Sequence, residues 1–93
     1  MDERLVKQWE VTKTLLATAA AEVSDAQGIS EYQEYIDYNE LELALNALEA
    51  IGDGSAVSPD FWWNLKKAAE VMGLRSHYAA LRSRRLKAAR NAG

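Results

Sequence analysis

Cysteine is absent from this 93-residue chain. A disulfide framework, a thiolate metal site and a cysteine nucleophile are therefore excluded, and a small domain that folds without disulfides is expected in the cytoplasm. One proline and five glycines are the only strong backbone punctuation. They fall between apolar-periodic segments, and no run of alternating β-branched residues suggests a strand. Long hydrophobic runs are missing too: the most apolar stretch, "LLATAAAEV", is too short and alanine-rich to span a bilayer. The opening "MDERLVKQWE" lacks the basic start and apolar core of a signal peptide. The expectation is a soluble cytoplasmic protein with no membrane partner.

Chemistry-bearing residues are equally sparse. The single histidine, His77, lies in a basic segment with no second His or Cys at metal-ligand spacing. "GDGS" has neither the lysine of a phosphate-binding loop nor a strand before it. Glu31, Glu34 and Asp37 recur every three residues, but they fan across an exposed helical face without a fourth ligand. Carboxylates paired for acid–base work need burial to separate their pKa values, and nothing in the pattern buries these. No metal, no cofactor and no catalytic residue is expected; the chain reads as a non-enzyme.

Charge of one sign is missing from long segments. Between Thr14 and Leu65 there are ten acidic residues and no lysine or arginine, while from Leu74 onward there are six basic residues and no acidic one. Residues 1–73 hold five basic and fourteen acidic side chains, a net of −9, although the whole chain carries only −3. An acidic body therefore precedes a basic tail.

What is present is helical periodicity. Leu5, Trp9, Thr12, Leu16, Ala20 and Val23 recur at steps of three and four, which predicts a helix from Asp2 to about Val23 with Trp9 in its core stripe. Ser30 with Gln33 has capping-box spacing and opens a second helix whose apolar face is Ile29, Tyr32 and Ile36. Asn39 with Glu42 repeats the signal, so a break is expected near Tyr38–Asn39. Leu41, Ala44, Leu45, Leu48 and Ile51 form the stripe of a third helix, and Gly52 suits the position just past its end. Ser58-Pro59 starts a fourth helix that Gly73 closes, and a basic fifth helix runs from Ser76 to about Arg90, within 75–90. The prediction is one all-α domain over 1–93, a small bundle of four to five helices.

Adjacent tryptophans on the fourth helix cannot both face one core. Successive helical residues are about 100° apart. Phe61, Leu65, Ala68 and Met72 define the core face; Trp62 lies on its flank, and Trp63 lies nearly opposite among Lys67 and Glu70. Trp63 must be covered by the C-terminal helix or by a partner.

The segment "SEYQEYIDYNELE" laces carboxylates with aromatics. Tyrosine and tryptophan anchor interfaces because they bury much area while freezing few torsions, and surrounding carboxylates steer a basic partner. The expected partner-binding surface is Glu31, Glu34, Tyr35, Asp37, Tyr38, Glu42 and Trp63. Such a surface suits a plug for a basic, nucleic-acid-binding protein. The tail "LRSRRLKAAR" is expected to fold back on the acidic body or stay solvated, giving a weak, salt-sensitive nucleic-acid contact at best. Two other readings stay open: a regulatory or nucleic-acid-associated protein acting through the basic helix, and a weak homodimer through Trp63 and Leu43 in place of a monomer.

The span "EYIDYNELELALNALEAIGDGSAVSPDFWWNLKKAAEVMGL" resembles the central part of small helical bacterial immunity proteins of the MafI type. The resemblance rests on Asn39–Glu40, Leu43–Ala44–Leu45, Leu48, Ser58, Phe61 and Met72–Gly73–Leu74, and covers about 40 of the 93 residues. It implies an inhibitor made beside a secreted or contact-delivered toxin, in many such systems a nuclease, which it binds and neutralises. No toxin-contacting residue follows from it, and the basic tail beyond Leu74 departs from the compact family form.

Overall fold

The computed structural model describes residues 3–92, and the expected helix start at Asp2 lies outside them. Five helices follow one another: α1 (Glu3–Glu22), α2 (Ile29–Asp37), α3 (Leu41–Asp53), α4 (Pro59–Met72) and α5 (Arg75–Ala92). Among the described residues there is no strand. The chain is a small all-α bundle.

α4 is the central element, packed most extensively against α1 and α5, while α2 packs on α3. Its start follows the sequence signal. Ser58 is the N-cap, its hydroxyl accepting from the Phe61 N–H at 3.2 Å, with proline next. Glu22, at the end of α1, accepts from both the Ser58 N–H and its hydroxyl at 2.6 Å. A carboxylate is unfavourable at its own helix's C-terminus and favourable at another's N-terminus, so the pair fixes α1 antiparallel to α4. Gly73, at φ 73°, then reverses the chain, with Leu74 N–H bonding to the Ala69 carbonyl. α5 runs back along α4, placing Lys66 over the Tyr78 ring and Arg84 over the Trp62 ring.

The core is built from Leu16, Ala19, Ala44, Leu45, Leu48, Phe61, Leu65, Ala68, Ala69 and Leu81, with Trp62 and Tyr32 at its edges. The whole stripe of α3 is buried. Burial raises the Tyr32 phenol above its ordinary value of 10.0, because the interior disfavours the phenolate.

Four local expectations are corrected. The α1 stripe runs past the end of the bundle, leaving Leu5 44% and Trp9 39% exposed, so Trp9 is not a core residue. α1 has 20 residues against 14 in α4, and its first turns have too little neighbour to pack against. α2 starts two residues early: Gly28, at φ 97°, takes the cap position, and Ser30 caps nothing. Asn39 likewise is no N-cap; at φ 57° it ends α2, with Glu40 N–H bonding to the Tyr35 carbonyl and Asn39 N–H to that of Ile36. Gly52 lies inside α3 and is buried; a Cβ there would stand 2.5 Å from Phe61 Cε1 and 2.6 Å from Trp62 Cη2. Its missing side chain is the space the two rings occupy.

Thr12 sits in the α1 stripe with no exposure, and its hydroxyl finds no partner among the described residues. The hydroxyls of Thr14 and Thr18 instead donate to carbonyls one turn back at 2.9 Å. Thr12→Val keeps the shape and removes the unpaired group. It is expected to stabilise the fold by about 1 kcal/mol, read as a raised urea midpoint at constant slope.

Candidate functional site

The sequence-expected surface is assembled by the α2–α3 hairpin, whose reversal at Tyr38–Glu40 brings the end of α2 beside the start of α3. Glu31, Glu34, Asp37, Glu40 and Glu42 are all exposed. None makes an ion pair among the described residues, where the salt bridges engage Lys67–Glu70, His77–Glu49, and Arg84 with Glu49 and Asp53. Tyr38 is 73% exposed and Leu43 43% exposed, so aromatic and aliphatic surface stands among the carboxylates.

Helix electrostatics separates these acids. Glu31 and Glu42 lie in first turns and Glu40 at a cap, where the helix dipole favours negative charge. Glu34 lies further along α2, and Asp37 is its last residue, where the dipole opposes a carboxylate. With no cation paired to either, folding gives Glu34 and Asp37 no electrostatic reward. They are the members of the cluster most in need of a reason outside the fold.

Not every expected residue belongs to this surface. Tyr35 is half-buried against the core cluster, so most of its ring serves packing. Trp63 is on α4 rather than on the hairpin, and is half-buried with Lys67 Nζ 5.6 Å from its ring centroid. Lys67 is in turn paired to Glu70 at 3.1 Å. α5 is met by Trp62, 5% exposed, and Lys66, while Trp63 lies about 100° further round α4. Trp62 is thus more than a shoulder of the core, and the cation stacked on Trp63 belongs to its own helix. Glu40 was missed from the sequence pattern, although its place in the acidic run was visible.

A second polar cluster joins α3 to α5. Glu49 accepts from Arg84 and lies 3.4 Å from His77 Nδ1, and Arg84 also bonds Asp53 at 2.9 Å. Arg84 is half-buried with its guanidinium over Trp62. One arginine of the basic tail thus folds back onto the acidic body. The open cleft nearby, between Glu22, Ser58, Trp62, Arg84 and Lys87, has most of its charges already answered by neighbours.

Among the described residues, no group of three His, Asp or Glu side chains is placed to hold a metal ion, and no helix is long and apolar enough to cross a membrane. Compared with known protein families, curated proteins and solved structures, the chain matches none.

Proposed function

We propose that this chain is a non-catalytic inhibitor that binds a basic protein partner through the outer face of α2 and the start of α3. The observation that carries the reading is the unpaired carboxylate field of Glu31, Glu34, Asp37, Glu40 and Glu42 around exposed Tyr38 and Leu43. Such a surface steers a cationic partner over a screening length of about 10 Å at 0.1 M salt, and the two apolar side chains supply area to bury on contact. The resemblance to small helical immunity proteins points the same way and names the partner class: a toxin, nuclease-like in its basic surface, neutralised in the cytoplasm of the cell that makes it.

The biological test is protection. Cells expressing the protein encoded next to this chain's gene should stop growing, and co-expression of this chain should restore growth. Glu34→Lys/Asp37→Lys should remove the protection while the fold is kept and the melting temperature holds or rises slightly, because neither side chain is buried or paired and lysine suits the C-terminus of α2. Full protection by that variant would remove the α2 face from consideration.

A further inference from the structure

We propose that the outward face of α5 is a second binding surface, one that grips the phosphate backbone of nucleic acid. Arg75, Arg82, Lys87 and Arg90 are exposed on this helix and Arg85 is half-buried. None of the five makes an ion pair among the described residues; of the lysines and arginines of α5, Arg84 alone is tied to the acidic body among those residues, through Glu49 and Asp53. The expectation that the tail folds back thus describes one arginine of the tail and not the rest. α5 contains no acidic residue, so its own element offers nothing to neutralise the others.

Geometry makes the charges a stripe. At about 100° per residue, Arg75, Arg82 and Arg90 fall within roughly 80° of one another, while Lys87 lies about 60° beyond Arg90, on the flank that lines the open cleft. Fifteen residues separate the first from the last, a length of about 22 Å at 1.5 Å per residue. The stripe is held in place from behind, where Leu81 is fully buried, Tyr78 lies under Lys66, and Arg84 is clamped. Three of the four exposed cations are arginines, whose planar fork matches phosphate oxygens.

Other anionic occupants fit less well. Lipid surfaces favour a helix with an apolar outer face, and among the described residues of α5 Leu86 is the one large apolar side chain that is exposed. The acidic face of a second copy is spread over two helices, and a head-to-tail contact between unlike faces closes into a discrete oligomer only at particular rotations. The net charge of −3 opposes binding at long range, but a Debye length of about 10 Å at 0.1 M salt lets the local stripe decide at contact.

The test is fluorescence anisotropy of labelled single-stranded and duplex oligonucleotides of about 25 nucleotides with the full chain, titrated between roughly 50 and 200 mM salt. Three phosphate contacts predict a slope of log affinity on log salt of about −2 to −3, and so a loss of about twenty- to fortyfold over that range. Arg82→Glu/Arg90→Glu should weaken binding at the lower salt at least about tenfold while melting falls only slightly, by the loss of a cation from the last turn, and Arg82→Lys/Arg90→Lys should keep the slope. No binding at the lower salt, or binding indifferent to the charge reversal, overturns the proposal. So does a result in which the two arginines drive capture by phosphatidylserine vesicles, or self-association in sedimentation, while the oligonucleotides stay free.

Discussion

Phe61→Ala should cost about 3–5 kcal/mol, enough to leave a domain of this size largely unfolded near 37 °C. Phe61 is 1% exposed at the start of α4 and meets Trp62 edge-to-face at 5.1 Å. It also reaches across to the place on α3 where Gly52 has no side chain. Truncation therefore opens a cavity lined by two helices at once, and the aromatic contact is lost with it. The neighbouring backbone cannot collapse freely into the void, since Ser58 is anchored to Glu22 and Arg84 holds α5 to Glu49 and Asp53. Urea unfolding of the purified variant measures this directly; a loss below about 1.5 kcal/mol would mean that Phe61 is not the pivot of the core.

Gly52→Val is the second large effect, and it comes from the opposite fault. A Cβ at this position lands 2.5 Å from Phe61 and 2.6 Å from Trp62, and valine adds two methyl groups to that Cβ. Overpacking of a filled core costs about 1–3 kcal/mol and occasionally more, while removing a helix-interior glycine returns at most about 1 kcal/mol. The clash wins, and a net loss of about 1–2 kcal/mol is expected from thermal or urea unfolding. Because both substitutions act on one contact, they should not add. The double variant Gly52→Val/Phe61→Ala should be more stable than the sum of its parts by about 1 kcal/mol, with Trp62 retaining part of the clash. Simple additivity would contradict a shared contact.

Much of the bundle was legible from residue order because the relevant signals are local. The stripe of α3, the Ser58-Pro59 start and the Gly73 stop each follow from side chains within a turn of one another. What escaped depends on other elements. Gly52 ends an apolar run and so reads as a stop, yet it is glycine because two rings from α4 need the space. Trp9 keeps the helical period of its stripe, but period alone does not tell where the neighbouring helices end. Ser30 lost the cap to Gly28, which adopts the left-handed conformation two residues before it. Arg84 carried a signal that could have been used: on a 100° wheel it shares a face with Leu81 and Ala88 rather than with Arg82 and Arg90.

The candidate surface was legible in part. The acidic run and its tyrosines mark α2, but only the packing of α2 on α3 distinguishes Tyr35, drawn to the core, from Tyr38, left in solvent. Charge counting alone also treats all five carboxylates alike. Their positions along the two helices set Glu34 and Asp37 apart, since neither gains from a helix N-terminus or a paired cation.

The central claim is that this acidic face binds a basic protein. Its most direct test is calorimetric titration of the full chain with the protein encoded beside its gene, at low and high salt, in parallel with Glu34→Lys/Asp37→Lys. One-to-one binding that weakens as salt rises is expected, with a variant that binds at least about tenfold more weakly and with a flattened salt dependence. Binding of equal strength and equal salt slope in the variant, or no binding by the native chain, would contradict it.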